Sequence, residues 1–196
     1  MISEIRKIAS ATALCAAISI TAQAEPVTYE IDSNHTFPAF EADHNAGVSV
    51  WRGKIGTSSG VVVLDREAET GTVEVEMEMG SIDFGHEEME NAARENILNV
   101  AQFPLASYSG TLTDFVNGEP TKVDGMLTMH GVTLDVDLAI NAFKCHMHPR
   151  FRTEVCGADA STMIDRADFG IDFGIEHGHL TPVKLLISIE AIKTES

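Results

Sequence analysis

The chain has 196 residues and carries 30 acidic against 13 basic side chains, which gives a formal net charge of −17 at neutral pH. This excess of negative charge disfavours binding to nucleic acids and to anionic membrane surfaces. The length suits a single domain with a sizeable core. Beyond the first residues, no stretch is long and apolar enough to predict stable insertion in a bilayer.

The first 24 residues have the pattern of a secretory signal peptide. Arg6 and Lys7 form a short basic region, residues 8–20 are mostly apolar, and residues 22–24 (AQA) form a small-x-small cleavage signal. A membrane anchor is the alternative, but the apolar run is short for a span of about 20 residues. The sequence therefore predicts a leader over residues 1–24, export to the periplasm, and one mature domain over residues 25–196.

Strand-forming segments then follow one another along the chain. The clearest is Val132 to Ile140, in which apolar residues alternate with mostly polar ones, as expected of a strand with one buried face. Turn-forming residues separate most of the segments, and His130-Gly131 predicts a tight hairpin between two of them. The predicted strands are 27–31, 37–41, 48–55, 60–65, 73–79, 106–115, 122–129, 132–140, 161–165 and 183–192.

One segment breaks the alternation. His86 to Leu98 has a helix-forming composition, and Met89, Ala92, Ala93 and Ile97 share one helical face. Glutamates crowd its first turns, where the helix dipole favours negative charge. Many strands and one helix predict a mainly β fold, either an antiparallel sandwich or a barrel, with a short helical insertion.

Two cysteines lie in the predicted mature chain, Cys145 and Cys156. An exported protein with two cysteines most simply forms one disulfide. The bond would close a small loop and stabilise the fold by roughly 2 to 3 kcal/mol by constraining the unfolded chain.

Five phrases, in order along the chain, together resemble the YceI-like family of exported lipocalin-like proteins. They are residues 29–35 (YEIDSNH), 51–54 with 59–60 (WRGK and SG), 81–85 followed by 99–104 (SIDFG and NVAQFP), 125–133 (GMLTMHGVT) and 166–171 (RADFGI). The segment 145–156 looks like a cysteine-containing subgroup of this family. One departure is the turn over residues 176–182 (EHGHLTP), so the rim of the barrel is expected to differ there.

The resemblance implies an eight-stranded antiparallel lipocalin-like barrel with a long apolar cavity. It further implies a periplasmic binding or carrier protein for a small hydrophobic lipid, such as a polyprenoid or the tail of an isoprenoid quinone, and a homodimer of paired barrels. Phenylalanines and methionines suit the wall of such a cavity, and the helix would cap one mouth. The residues predicted to line the cavity and contact the ligand are Phe37, Phe40, Phe84, Met89, Ile97, Phe169 and Phe173.

Histidines supply the first alternative function, an exported metal-binding module. His146 and His148 flank one residue, as do His177 and His179, and alternating histidines on an extended segment point the same way. The ligand spacing is incomplete, however, and a disulfide would remove both thiolates as ligands. Solvated loop histidines are therefore the favoured interpretation, with no metal.

An enzyme acting on a cavity-bound lipid is the second alternative. The chain lacks the short signatures of serine hydrolases, phosphate-binding loops, zinc proteases and dinucleotide-binding folds, so no catalytic residue is assigned and no cofactor is required. His44 lies beside Asp43 but without a nucleophile motif. His130 is expected to be structural in its turn, and His35 to be structural or to touch a ligand head group.

Overall fold

The computed structural model describes residues 25–150 and 152–194, so the predicted leader over residues 1–24 lies outside the described residues. The described chain is mainly β. Its strands are β1 (Val27–Ile31), β2 (Phe37–His44), β3 (Ser49–Ile55), β4 (Ser58–Asp65), β5 (Thr70–Glu78), β6 (Ile82–Asp83), β7 (Leu105–Thr113), β8 (Lys122–Met129), β9 (Val132–Asp135), β10 (Leu138–Met147), β11 (Glu154–Asp165) and β12 (Pro182–Lys193).

Eight of these strands form a closed antiparallel barrel, which confirms the predicted fold class. Their order around the ring is β1, β4, β5, β7, β8, β10, β11 and β12, and β12 pairs with β1 to close it. The remaining strands branch from this ring. β2 pairs with the first half of β12, β3 follows β2, β6 pairs with β3, and β9 pairs with β8.

The strand predicted over residues 132–140 is divided into β9 and β10. Both pair with β8, but the ladder is interrupted at Val136 and Asp137. There the hydroxyl of Tyr108 donates to the carbonyl oxygen of Val136 at 2.9 Å, and the amide of Gly125 donates to Asp137 at 3.4 Å. Side-chain hydrogen bonds therefore replace part of the backbone hydrogen-bond ladder at this point.

The hairpin predicted at His130-Gly131 is present. Met129 pairs directly with Val132, which leaves a two-residue loop between β8 and β9. His130 and Gly131 have φ angles of 53° and 78°. Positive φ at both loop positions is typical of a type I′ turn, whose twist matches that of the flanking strands.

The predicted helix consists of α1 (Glu87–Ala92) followed by a wider, π-helical turn over Ala93–Ile97. His86 is its N-cap, and its ring nitrogen accepts a hydrogen bond from the amide of Met89 at 3.3 Å. Glu90 accepts from the amides of Phe84 and His86, each at 3.1 Å. These bonds fix where the helix begins. Within the described residues, no helix is long and apolar enough to span a membrane.

Cys145 and Cys156 form a disulfide, as predicted. They lie directly opposite each other on β10 and β11, with Cα atoms 4.0 Å apart. The bond therefore joins two neighbouring strands of the barrel wall near the end where β10 and β11 are connected.

Candidate functional site

The barrel encloses a cavity of about 460 Å³ whose wall is almost entirely apolar. β5 shows how the sequence builds this wall. Val73, Val75 and Met77 face the cavity, and Met79 continues the same face just after the strand. The glutamates between them are exposed. Alternation along each strand thus places one set of side chains inside and the other in water.

The structure brings five of the seven predicted cavity residues onto this wall. Phe40 comes from β2, Phe84 follows β6, and Phe173 lies in the loop before β12. Met89 and Ile97 come from the helical segment, which presents its whole predicted apolar face to the cavity, including Ala92 and Ala93. The helix consequently forms part of the wall at one end of the barrel.

Phe37 and Phe169 do not line the cavity, and for these two residues the prediction needs correction. Phe37 and Phe40 are three residues apart on one strand, so their side chains point to opposite faces. Phe37 lies outside, with the amine of Lys54 4.6 Å from its ring centroid. Phe169 is only 1% exposed and packs in the hydrophobic core beside the cavity.

One end of the cavity forms a mouth with a group of aromatic and polar residues. Phe173 lines the cavity and is 50% exposed, so the cavity reaches the surface here. The wall at this end also includes Asp43, His44, Trp51, Arg166 and His179, which we call the mouth cluster. The ring centroids of His44 and Trp51 are 4.8 Å apart.

These mouth residues were not predicted to line the cavity, although the two-residue period of the strands contains a signal for two of them. Counting in twos from Phe40 along β2 reaches His44, and counting back in twos from Ile55 along β3 reaches Trp51. Arg166 and His179 lie outside the strands, so no period predicts where their side chains point.

The opposite end of the cavity is closed. Cys156 and Tyr29 line it there and are 7% and 2% exposed. The hydroxyl of Tyr29 donates to Glu154 at 2.6 Å. Burial, reinforced by this bond to a carboxylate, raises the pKa of Tyr29, so its hydroxyl stays protonated and neutral at physiological pH.

The histidine pairs proposed as metal ligands lie at opposite ends of the barrel. His146 is beside the disulfide on β10, with its ring centroid 6.2 Å from that of His148. His177 and His179 are in the loop before β12, and His179 lines the cavity mouth. In the described part of the chain, no group of three or more histidines, cysteines or carboxylates is placed to hold a metal ion.

Two other histidines lie away from the cavity. His35 is exposed and its Nδ1 lies 2.7 Å from the Asp32 carboxylate, whose hydrogen bond raises the pKa of His35. His130 has its Nδ1 3.1 Å from the carbonyl oxygen of Phe169, and its ring packs on Phe103 with centroids 4.3 Å apart. His130 therefore ties the hairpin to the turn that contains Phe169.

A closed barrel with an apolar interior defines a class of protein that can hold one hydrophobic molecule away from water. A family model described as the YceI-like domain matches residues 29–191. The chain belongs to the YceI-like family.

Curated relatives match over nearly the full length. A UPF0312 protein of Pseudomonas aeruginosa is 28% identical over 193 residues, which cover 96% of this chain and 99% of that protein. Protein YceI of Salmonella arizonae is 28% identical over 184 residues, which cover 92% of this chain and 94% of that protein.

Solved structures share the fold. BcnA of Burkholderia cenocepacia has a TM-score of 0.67 at 15% identity, covering 82% of this chain and 99% of that one. A polyisoprenoid binding domain from Saccharophagus degradans has a TM-score of 0.63 at 16% identity, covering 86% of this chain and 99% of that one. At these identities, the likeness concerns the fold alone.

Proposed function

We propose that this protein binds an isoprenoid-type lipid, a polyprenoid or the tail of an isoprenoid quinone, and carries it in the barrel. The observation that carries this proposal is the apolar cavity of about 460 Å³ with a mouth at one end and a closed opposite end. A branched hydrocarbon chain needs a dry, elongated space with few polar groups. The protein acts by binding rather than by catalysis.

The driving force is removal of the lipid tail from water. Burial of apolar surface is worth roughly 25 cal/mol per Å², or about 0.8 kcal/mol per buried CH₂ group. Phe40, Phe84, Met89, Ile97 and Phe173 are the proposed contacts from the sequence analysis that the cavity geometry supports. The flexible methionine adapts to the irregular outline of a methyl-branched chain.

The proposed place of action is the periplasm. The leader pattern over residues 1–24 and the disulfide support export to an oxidising compartment. The net charge of −17 favours solubility of the loaded protein. The structural neighbour from Saccharophagus degradans, which is a polyisoprenoid binding domain, supports the ligand class. Pairing into a homodimer belongs to the same proposal, and light scattering tests it.

Native mass spectrometry after mild purification tests the binding function. We expect a mass increment of one lipid per barrel, loss of that increment after solvent extraction, and its return when a long polyprenol is added. Repeated recovery of protein without lipid, together with failure to bind the added polyprenol, would contradict the proposal.

A further inference from the structure

The hairpin that joins β10 to β11 is basic, in contrast to the rest of this acidic chain. Residues 144–152 include three lysines or arginines, two histidines and no acidic residue, although acidic side chains outnumber basic ones 30 to 13 in the whole chain. Lys193 at the end of β12 lies beside them, since the hydroxyl of Thr153 donates to the Lys193 carbonyl oxygen at 3.3 Å. We call the following residues the basic patch: Lys144, His146, Met147, His148, Arg150, Arg152 and Lys193.

The basic patch lies where the hairpin extends past the rest of the sheet. In the described chain, the ladder between β10 and β8 covers only residues 138–139 of β10. The ladder between β10 and β11 continues to Met147, opposite Glu154. The disulfide between Cys145 and Cys156 joins the two strands just before this point. The patch is therefore carried by a crosslinked arm at the closed end of the barrel, opposite the mouth.

The patch presents both charge and an apolar side chain to the solvent. Lys144, Arg150, Arg152 and Lys193 are all exposed. Met147 is 65% exposed, which makes it one of the most exposed large hydrophobic residues of the described chain. Cations beside an exposed apolar side chain are typical of segments that lie in the head-group region of a bilayer. An acidic protein would match the cations equally well, so Met147 is the feature that favours a bilayer.

The net negative charge of the protein does not prevent such a contact. The Debye length is about 8 Å at physiological ionic strength, so charges further than this from a membrane are largely screened. Glu67 and Glu69 are in the β4–β5 turn at the same end, but β4 and β5 lie across the ring from β10 and β11. Glu154 on the hairpin is half-buried, and its carboxylate accepts the hydrogen bond from Tyr29 at 2.6 Å. The local charge of the arm therefore dominates at short range.

We propose that the basic patch docks the protein on the surface of a bilayer that contains anionic phospholipids. The lipid phosphates contact the four lysine and arginine side chains, and Met147 enters the boundary with the acyl chains. Because the patch is at the closed end, the docked barrel holds its mouth away from this surface and open to the water. Docking is a second activity that does not use the cavity, so it goes beyond the proposed carrier function.

Flotation with lipid vesicles tests the docking of the purified protein with its disulfide intact. Vesicles of phosphatidylcholine mixed with phosphatidylglycerol are compared with vesicles of phosphatidylcholine alone. We expect at least about tenfold tighter binding to the mixed vesicles at low salt, and a loss of this binding as the salt concentration rises. Equal binding to both kinds of vesicle, or binding to neither, would overturn the inference. Binding to soluble polyglutamate as tight as to the mixed vesicles would assign the patch to acidic proteins and would also overturn it.

Paired variants locate the docking surface. Arg150→Gln combined with Arg152→Gln should weaken binding to the mixed vesicles by at least about tenfold, since each cation near an anionic surface contributes roughly fivefold. Arg52→Gln combined with Lys184→Gln is the matched control, because it removes the same charge from exposed positions on β3 and β12. Equal weakening by the two pairs would mean that net charge governs binding, and would overturn the assignment.

A second pair within the patch, Lys144→Gln combined with Lys193→Gln, gives an independent test that does not depend on the folding of the arginine variant. We expect a loss similar to that of the arginine pair, and circular dichroism checks that each variant is folded. Unchanged vesicle binding in this folded pair would overturn the inference. Binding of polyprenol in the cavity, followed by native mass spectrometry, should be the same in all variants, so a failure of docking is distinguishable from a failure of the carrier function.

Discussion

At the scale of single residues, the two tyrosines are buried and neutral in the barrel. Tyr29 donates to Glu154, and Tyr108 donates to the carbonyl oxygen of Val136. Burial is the main cause that raises the pKa of each, and carboxylates add to it, Glu154 for Tyr29 and Asp137 for Tyr108. The folded protein therefore binds these protons more tightly than the unfolded chain does.

This difference predicts alkaline unfolding. The stabilisation is complete below about pH 10, the pKa of an exposed tyrosine, and is lost as the pH rises towards the higher folded-state values. The free energy of unfolding should fall with a limiting slope of about 1.4 kcal/mol per pH unit for each tyrosine. Denaturant titrations at several alkaline pH values measure this slope, and Tyr29→Phe should reduce it by about half.

Ultraviolet titration provides the direct check on the same prediction. The chain has only two tyrosines, so the tyrosinate absorption reports on both. The signal should appear together with loss of the folded circular dichroism spectrum. Ionisation of either tyrosine near pH 10 in a protein that is still folded would contradict the assignment of both as buried.

Where a strand is regular, the sequence predicts which side chains face the cavity and which face the solvent. The alternation of β5 correctly gives its inward residues. The prediction for Phe37 was wrong because it used hydrophobicity alone, whereas the two-residue period places Phe37 and Phe40 on opposite faces. Alternation also cannot reach Arg166 or His179, whose positions depend on turns and on long-range hydrogen bonds. Composition therefore predicts an apolar cavity wall, whereas tertiary structure determines which residues lie at the mouth.

At the scale of elements, α1 forms part of the cavity wall, and Glu90 in its first turn ties it to the preceding chain. Glu90 links the helix to the preceding chain through the amides of Phe84 and His86. Glu90→Ala should lower the free energy of unfolding by about 1 kcal/mol, the usual effect of losing a helix cap. It should also speed release of bound lipid, because Met89 and its neighbours would close the cavity less firmly.

Chemical denaturation and stopped-flow lipid release measure these two effects. Glu88→Ala is the matched control, since Glu88 is exposed on the same helix. Identical release rates for the Glu90 and Glu88 variants would show that the helix does not control access to the cavity.

The disulfide stabilises the pairing of β10 with β11 at the closed end. The two cysteines are 11 residues apart. Closing a loop of this size lowers the conformational entropy of the unfolded chain, which stabilises the folded state by about 3 kcal/mol. The double variant Cys145→Ser, Cys156→Ser should therefore lose about that free energy of unfolding in denaturant titrations. Reduction of the wild-type protein is the control and should give a similar loss. A loss below about 1 kcal/mol would mean that the strand pairing needs no crosslink.

Element types were easier to predict than their ends. The helix and the hairpin at His130-Gly131 occur where the sequence placed them, because capping, period and turn residues are local signals. The division of the segment 132–140 was not predictable, since it depends on Tyr108, a residue distant in sequence. Val136, Leu138 and Ile140 line the cavity, whereas Val132 and Leu134, before the interruption, are partly buried against the core.

At the scale of the whole molecule, the open cavity space is the property on which the proposed function depends. Ala160 on β11 faces this space, while Ala139 on β10 is exposed on the outer surface. Ala160→Phe should fill part of the cavity and reduce lipid binding by at least about tenfold, because the lost volume removes several buried CH₂ groups. Ala139→Phe is the matched control and should bind normally. Titration of lipid into both folded variants provides the comparison, and equal affinity would mean that the lipid binds elsewhere.

Alternating strands could equally have formed a sandwich with a packed core, since the pattern shows a buried face but not what that face contacts. The resemblance of five phrases to the YceI-like family selected the barrel, and the closure of β12 on β1 confirms it. The cavity volume could not be predicted from the sequence, because it depends on how the inward faces of the eight barrel strands pack around the interior.

A crystal structure of the protein grown with a long polyprenol is the most direct test of lipid binding inside the barrel. We expect continuous, tubular electron density inside the barrel, running from Trp51 at the mouth to Cys156 at the closed end, with one molecule per chain. A cavity filled with ordered water, or polyprenol density confined to the outer surface of the barrel, would contradict it.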